Sequence, residues 1–208
     1  VKADVMMSID EQQNRTYSGS IASADLNVGK LLDNEKKFGT ADFNVELKGF
    51  NYKNHYPESY IKGTISSFEY SQYKYENIAL DGVYKDGGFN GKLAMDNDNG
   101  SVQIDGSFNV ACAIPEFNLK AALRNFRPNN LHLSDKYKDT DISLNLTADF
   151  TGKSIDDMNG RIRLDSLLMN APEGNNYFLD NLTITAGQVE GQKELQVLSC
   201  LLYTSDAA

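Results

Sequence analysis

The sequence predicts an all-β protein whose antiparallel-rich strands form an elongated, curled sheet with an apolar groove. Three observations predict this class: apolar and polar residues alternate in at least six stretches, glycine and asparagine turns separate them, and helical patterns are scarce. The pattern predicts about eight to eleven strands, each with one apolar and one polar face. Since helical patterns are scarce, no helical layer is available to cover the apolar face. The sheet must therefore curl around a groove or close as a β-sandwich or barrel, and periodicity alone does not separate these alternatives.

Two stretches, residues 101–112 and 142–150, show the alternation most clearly. Their apolar members point to one face of a strand, because successive side chains in a strand alternate between the two faces. Shorter stretches repeat the pattern around Leu119 and around Ile162. The predicted lining of the groove consists of Val102, Ile104, Phe108, Val110, Leu119, Ile142, Leu144, Leu146, Phe150, Ile162 and Leu164. The alternation extends to Cys112, which we expect to act as a small hydrophobic residue on the same face.

Turn residues between these stretches favour antiparallel hairpins. Asp86-Gly87-Gly88 is typical of a tight hairpin, and residues 96–100 form a second turn signal. Several glycines stand at or beside strand starts, where they permit bends in the sheet, namely Gly63, Gly82, Gly91, Gly106 and Gly160.

Only two segments predict helix. Asp25 is placed to cap a short turn that includes Val28, Leu31 and Leu32. Residues 124–134 contain Pro128 at a position that suits a first helical turn.

The sequence composition argues against nucleic-acid binding, disorder and a membrane-spanning helix. The 208 residues include 20 Lys and Arg against 29 Asp and Glu, for a formal charge of -9, so no clustered basic surface is available for nucleic acid. Hydrophobic residues make up 40% of the chain, which is too apolar for disorder. The longest uncharged stretches fall far short of the roughly 20 apolar residues that a membrane helix needs.

The ends of the sequence suggest a fragment. Val1 stands inside a strand-like pattern, and residues 200–208 match the translation of TGT CTC TTA TAC ACA TCT GAC GCT GCC, a transposase-type sequencing adapter. We therefore expect residues 1–199 to be an internal piece of a longer protein and residues 200–208 not to be native. Cys112 is then the one native cysteine, which excludes an intrachain disulfide.

No motif predicts catalysis, a metal site or a cofactor. Gly152-Lys153-Ser154 lacks the earlier glycine of a phosphate-binding loop, since Thr147 stands there. Residues 96–107 lack the glycine and glutamate of a calcium loop. His55 and His132 have no ligand at metal-binding spacing, and the adjacent carboxylates of residues 156–157 point to opposite faces of an extended chain.

Five groups of segments, taken in chain order, carry a similarity to a known protein family. They are Asp25-Leu26-Asn27-Val28-Gly29-Lys30-Leu31-Leu32, residues 38–39 and 47–49, Tyr73-Lys74-Tyr75-Glu76-Asn77-Ile78-Ala79-Leu80-Asp81-Gly82, residues 89–91 with 96–100, and residues 150–160. Together they resemble the AsmA-like translocation and assembly module (TamB) family of diderm bacteria, and the similarity spans about residues 14–199. Most of the individual motifs consist of turn residues, and one position departs from the pattern, because Gln72 stands where the family has glycine.

The resemblance implies a periplasmic rod of β-structure, anchored to the inner membrane by an N-terminal helix outside this fragment. Members of the family carry phospholipid between the two membranes and support outer-membrane protein assembly. On this basis residues 1–199 are the middle portion of the rod, phospholipid acyl chains are the bound partner, and the outer-membrane assembly machinery contacts regions absent here. The resemblance also implies that the fragment is not an enzyme, because movement along a groove breaks no covalent bond.

A non-enzymatic extracellular β-sandwich, acting as a binding or adhesion module, is the competing interpretation. Such a module predicts a closed core with aromatic residues gathered at one rim. Six tyrosines crowd one region of the sequence and favour it: Tyr52, Tyr56, Tyr60, Tyr70, Tyr73 and Tyr75.

Overall fold

The structure is a computed structural model that describes residues 1–52, 57–136, 138–153, 157–174, 176–189 and 192–200. Strands contain 73% of the described residues, and the described helices are one α-helical turn and one 3₁₀ turn. This content confirms the predicted all-β class, since a typical soluble domain is about 20–25% strand. The chain divides into two compact units, Val1–Asn97 and Asp98–Ala208.

The first unit is an antiparallel meander in which each strand pairs with the next one along the chain. A short helix joins its second and third strands. The elements are β1 (Lys2–Ile9), β2 (Arg15–Asn27), α1 (Val28–Leu31), β3 (Phe38–Asn51), β4 (Glu58–Tyr70), β5 (Tyr73–Lys85) and β6 (Gly88–Asn97).

The second unit repeats this arrangement with six further antiparallel strands in chain order. Its elements are β7 (Gly100–Asn109), β8 (Glu116–Phe126), β9 (Asp141–Thr151), β10 (Asn159–Asn170), the 3₁₀ turn Pro172–Gly174, β11 (Asn176–Val189) and β12 (Gln192–Cys200). Cys200, the first residue of the expected adapter tail, pairs with Asn181 in this register. Residues 201–208 lie outside the described residues.

Within each unit the described strands form a single layer rather than two facing sheets. The β-sandwich alternative is therefore not found in the described part of either unit. Complete burial is correspondingly rare: of the large side chains described, only that of Leu131 is fully buried. Most apolar side chains of the sheets are half-buried, as expected for a face that lacks a second packed layer.

The predicted hairpin at residues 86–88 is confirmed. Asp86 and Gly87 join β5 to β6 with φ angles of 50° and 74°. Two successive residues with positive φ match the twist of the paired strands, and a central Asp-Gly pair tolerates this conformation well.

The predicted cap of the first helical turn is wrong by two residues. Asn27, not Asp25, caps α1, and its side-chain oxygen accepts a hydrogen bond from the backbone N–H of Lys30 at 2.7 Å. Asp25 instead has a φ of 56° within a β-bulge, and its N–H donates to the carboxylate of Asp42 at 2.5 Å. The bulge extends β2 to Asn27, so the chain is still extended where the cap was expected.

Residues 124–134 do not form a helix. The first three residues complete β8, and the rest fold into a compact turn held by hydrogen bonds from Leu131 N–H to Arg127 C=O and from Leu133 N–H to Pro128 C=O. Pro128 is buried in this turn. The segment ends after this one turn because His132 adopts a φ of 55°, which a continuing right-handed helix cannot contain.

The alternation that predicted a strand through residue 112 ends earlier in the structure. β7 stops at Asn109, whose side-chain oxygen accepts a hydrogen bond from the N–H of Ala111 at 3.0 Å. This local bond competes with strand pairing and turns the chain. Val110 and Cys112 are therefore exposed in a loop, and their predicted place on the apolar strand face is wrong.

Candidate apolar binding face

Cross-strand pairing aligns the apolar residues of the second unit in three rows that run across all six strands. Residues directly opposite each other in an antiparallel pair share one face of the sheet. Row 1 contains Phe108, Phe117, Phe150, Gly160, Ala186 and Leu195. Row 2 contains Gly106, Leu119, Ala148, Ile162, Ile184 and Val197. Row 3 contains Ile104, Ala121, Leu146, Leu164, Leu182 and Ser199.

Ten of the eleven predicted lining residues lie in strands of this sheet. Seven belong to rows 1 to 3, and Val102 and Leu144 continue the face beside row 3, where each lies opposite Leu123. Ile142 lies beyond a register shift, opposite Phe126 and Met169. All ten are half-buried except Phe108, which is 40% exposed, whereas Val110 lies outside β7 and is 59% exposed.

The most buried positions of this apolar face carry the smallest side chains. Ala121 is 9% exposed, Ala148 3% and Ala186 2%. Longer neighbours such as Leu146 and Ile162 remain partly exposed. The alanine side chains are therefore covered by longer neighbours on the same face. Those neighbours stay partly exposed, as expected for an apolar face without a covering layer.

The opposite face of the second unit is polar. Most of its rows pair acidic, basic and neutral polar residues, but its described apolar members include Leu198, Leu168 and Phe178, which are 66%, 36% and 41% exposed. Arg163 forms an ion pair with Asp165 at 2.8 Å between Nε and Oδ1. The two clearest rows are Asp105, Lys120, Thr147, Arg163, Thr183 and Leu198, and Ser107, Asn118, Asp149, Arg161, Thr185 and Gln196.

The first unit has an apolar face of the same kind, which the predicted lining set did not include. Three rows carry it: Ala3, Ile21, Val45, Gly63, Leu80 and Leu93; Val5, Gly19, Leu47, Ile61, Gly82 and Gly91; and Ser23, Phe43, Ile65, Ile78 and Met95. The alternation of Phe43, Val45 and Leu47 could have revealed part of it. Glycine occupies several positions, so this face carries less apolar bulk than the face of the second unit.

Ion pairs cover the polar face of the first unit. Lys62 Nζ lies 2.9 Å from the carboxylate of Asp81, and this contact raises the pKa of Lys62. The Tyr60 hydroxyl donates to Glu58, which also pairs with Lys85 at 2.9 Å, and both contacts lower the pKa of Glu58. A cleft of about 600 Å³ lies over this face, and Lys62 and Asp81 are among the residues that line it. Its lining mixes charged side chains with Met6, Tyr60 and Val83, so it does not form a continuous apolar surface like rows 1 to 3.

The described tyrosines do not gather at one rim. Tyr60 lies near the start of β4 and Tyr70 at its end, so about 30 Å of strand separates them. Tyr70 packs against Phe38 with ring centroids 5.4 Å apart, and Tyr73 packs edge-on to Tyr75 at 4.8 Å. Tyr52 instead stacks on Phe50, and Tyr56 lies outside the described residues. The tyrosines whose closeness in sequence favoured an adhesion module therefore lie at two different ends of the strands.

Tyr75 is the buried member of this aromatic cluster, and its burial raises the pKa to about 12 from 10.0. Because the pKa is higher in the folded state, the neutral Tyr75 hydroxyl stabilises the folded protein. This contribution is fully present below pH 10 and is lost as the pH rises through 12. Between pH 8 and pH 11, we expect the free energy of unfolding of the wild-type protein to fall by about 1 kcal/mol more than that of Tyr75→Phe. Denaturant unfolding at both pH values measures it, with the half-buried Tyr73→Phe as control. Equal alkaline losses in wild type and Tyr75→Phe would contradict the assignment.

Other sequence motifs show no catalytic arrangement among the residues that the structure describes. Gly152 and Lys153 form a turn in which the Lys153 N–H bonds both carboxylate oxygens of Asp157 at 3.0 Å. Within the described ranges, no three His, Cys, Asp or Glu side chains lie close enough to share a metal ion. His132 is exposed, and His55 and Asp156 lie outside the described residues. The part of the chain that the structure describes also contains no helix long and apolar enough to cross a membrane.

No family model, curated protein or solved structure matches this chain. The candidate site therefore depends on the geometry of the apolar rows. Leu182 and Ile184 also alternate within β11 but are absent from the eleven predicted lining residues, and the strand register places them opposite Leu164 and Ile162.

Proposed function

We propose that this chain is an internal segment of a periplasmic lipid bridge of the AsmA-like translocation and assembly module (TamB) family. Phospholipid acyl chains lie on its apolar face while they move between the inner and outer membranes, and this movement supports outer-membrane biogenesis and protein assembly. The sequence resemblance supports the family. An inner-membrane anchor and the contacts with the outer-membrane assembly machinery belong to regions outside this chain.

The alignment of rows 1 to 3 carries this proposal. Five strand spacings of about 4.8 Å give each row a path of roughly 24 Å, longer than the roughly 15 Å of one bilayer leaflet's hydrocarbon. Shielding each CH₂ from water contributes about 0.8 kcal/mol, so a continuous apolar surface lowers the cost of moving a chain through water. The polar rows on the opposite face keep the outside of the sheet hydrated.

This function needs no catalytic residue, cofactor or metal ion, and it involves no nucleic acid. Binding depends on contact between hydrocarbon and the apolar rows, and transfer leaves every covalent bond of the lipid intact. The division of the tyrosines between two strand ends removes the main support for an adhesion module.

A competition experiment tests the proposal against the adhesion alternative. The purified chain is titrated with a phospholipid that carries a fluorescent acyl chain. We expect saturable binding that unlabelled phosphatidylethanolamine displaces and that soluble glycans do not. Absence of phospholipid binding, or displacement by glycans alone, would contradict the lipid bridge.

A further inference from the structure

A groove runs along β2 on the polar face of the first unit. Two overlapping clefts of about 600 Å³ and about 480 Å³ form it, and they share Met6, Ser18, Lys48 and Tyr60. These four residues lie in one cross-strand row from β1 to β4. In that row a short side chain on β2 lies between longer side chains on β1 and β3, so a depression follows β2. We call this surface the β2 groove.

The floor of the β2 groove is a line of hydroxyl groups. Thr16, Ser18 and Ser20 follow one another on this face, because every second residue of a strand points to the same side. The backbone of β2 is already paired with β1 and β3, so the floor offers these side-chain hydroxyls rather than backbone groups. An extended peptide usually binds by pairing its backbone with a free strand edge. This floor therefore suits a ligand that carries its own hydroxyl groups.

Aromatic rings form the wall of the β2 groove near Thr16. Phe50 lies opposite Thr16 and stacks on Tyr52 with ring centroids 4.7 Å apart. Tyr52 is 37% exposed and Tyr60 is 44% exposed, so both rings offer surface to a ligand. The Tyr60 hydroxyl donates to Glu58 at 2.5 Å, which orients this ring before any ligand binds. Exposed aromatic rings beside hydroxyl groups match a sugar, whose ring has an apolar C–H face and a polar edge.

We propose that the β2 groove binds an extended, β-linked oligosaccharide, independently of the proposed lipid function. Sugar rings stack on Tyr52 and Tyr60, and the sugar hydroxyls exchange hydrogen bonds with the floor. The floor from Thr16 to Ser20 spans roughly 13 Å of strand, so it fits a flat, extended chain better than the curled chain that α-linkages produce. Hydrocarbon does not suit this groove, because it would cover the floor hydroxyls without bonding them.

A single tryptophan in the wall tests the groove directly, because the chain contains no tryptophan of its own. We expect the fluorescence of Tyr52→Trp to change saturably on titration with cellotetraose, since a sugar ring stacks on the new indole. Maltotetraose, an α-linked chain of the same sugar, should bind at least about tenfold more weakly. Tyr84→Trp is the matched control protein. Tyr84 is 48% exposed in β5 and pairs with Ser59, so it lies on the face opposite to Tyr60.

Two further substitutions in the Tyr52→Trp protein test the wall and the floor separately. Tyr60→Ala removes the second aromatic ring, and Ser18→Leu fills the floor at an exposed position. We expect each to weaken cellotetraose binding roughly tenfold while the circular dichroism spectrum stays unchanged. Unchanged affinity in either folded variant overturns the proposal, because the sugar then binds elsewhere.

The outcomes separate the oligosaccharide groove from the lipid site. No saturable change in Tyr52→Trp, an equal change in Tyr84→Trp, or equal affinity for maltotetraose overturns the groove and leaves the lipid function standing. Saturation of the signal by a tetraalanine peptide at the same concentrations also overturns it, in favour of a peptide site. Saturating cellotetraose should leave the binding of fluorescent phospholipid unchanged, and displacement of the lipid would overturn the assignment to the polar face. Absence of phospholipid binding beside a normal sugar titration overturns the lipid function alone.

Discussion

Replacing Leu146 with Asp is expected to weaken phospholipid binding to the second unit while that unit stays folded. Leu146 lies in row 3 at the middle of β9, directly between Ala121 and Leu164, and it is only half-buried. A carboxylate there would lose its water whenever an acyl chain covers row 3, and an unpaired charge next to hydrocarbon is costly. We expect at least about a tenfold loss of affinity, equivalent to about 1.4 kcal/mol. Fluorescent-phospholipid titration measures it.

Thr147→Asp is the matched control for this variant. Thr147 is the next residue of β9, is exposed, and lies on the polar face opposite Lys120 and Arg163, so a new carboxylate there faces basic partners. It should bind lipid normally. When no lipid is bound, the carboxylate introduced by Leu146→Asp stays in contact with water. We therefore expect the free energy of unfolding to fall by only about 1–2 kcal/mol. A loss of several kcal/mol with complete unfolding would instead indicate a closed core.

Gly160→Ala is expected to lower the free energy of unfolding by about 3 kcal/mol. Gly160 has a φ of 134°, a conformation that residues with a side chain rarely adopt. A Cβ atom there would also overlap with the carbonyl oxygen of Asp149 and crowd the Cα of Phe150. The added methyl group therefore forces β9 and β10 apart at row 1. Denaturant unfolding followed by circular dichroism measures the change.

Gly187→Ala provides the comparison for this substitution. Gly187 lies in β11, and a Cβ there would meet only the side-chain oxygen of Asn159, at 3.9 Å. We expect this variant to unfold within about 0.5 kcal/mol of wild type. Equal stabilities for the two variants would show that close strand approach at Gly160 does not shape the sheet.

The sequence predicted the one-faced strands well because alternation is a local property. Ile142, Leu144, Leu146 and Phe150 could be assigned to one side of a strand without any knowledge of their neighbours. The alternation failed at Val110, because a hydrogen bond from the backbone N–H of Ala111 to the side-chain oxygen of Asn109 ends the strand while the apolar pattern continues. Hydropathy does not register such a competing local bond.

Strand register and bulges were beyond what the sequence could provide. Row 1 joins Phe150 to Gly160 and Ala186, and nothing in a single strand indicates which residues lie opposite. Ser166 adopts a φ of 55° where the register between β9 and β10 shifts, although no glycine or proline marks the position. The extent of the apolar face therefore emerged only from the pairings.

Photo-crosslinking from position 146 tests whether phospholipid acyl chains lie on the apolar face. A photoreactive amino acid replaces Leu146 in one protein and Thr147 in another, and both are irradiated after equilibration with phospholipid. We expect phospholipid adducts at position 146 and few at position 147, because the two side chains lie on opposite faces of β9. Exclusive crosslinks to protein at position 146, or equal lipid adducts at both positions, would contradict binding of acyl chains on the apolar face.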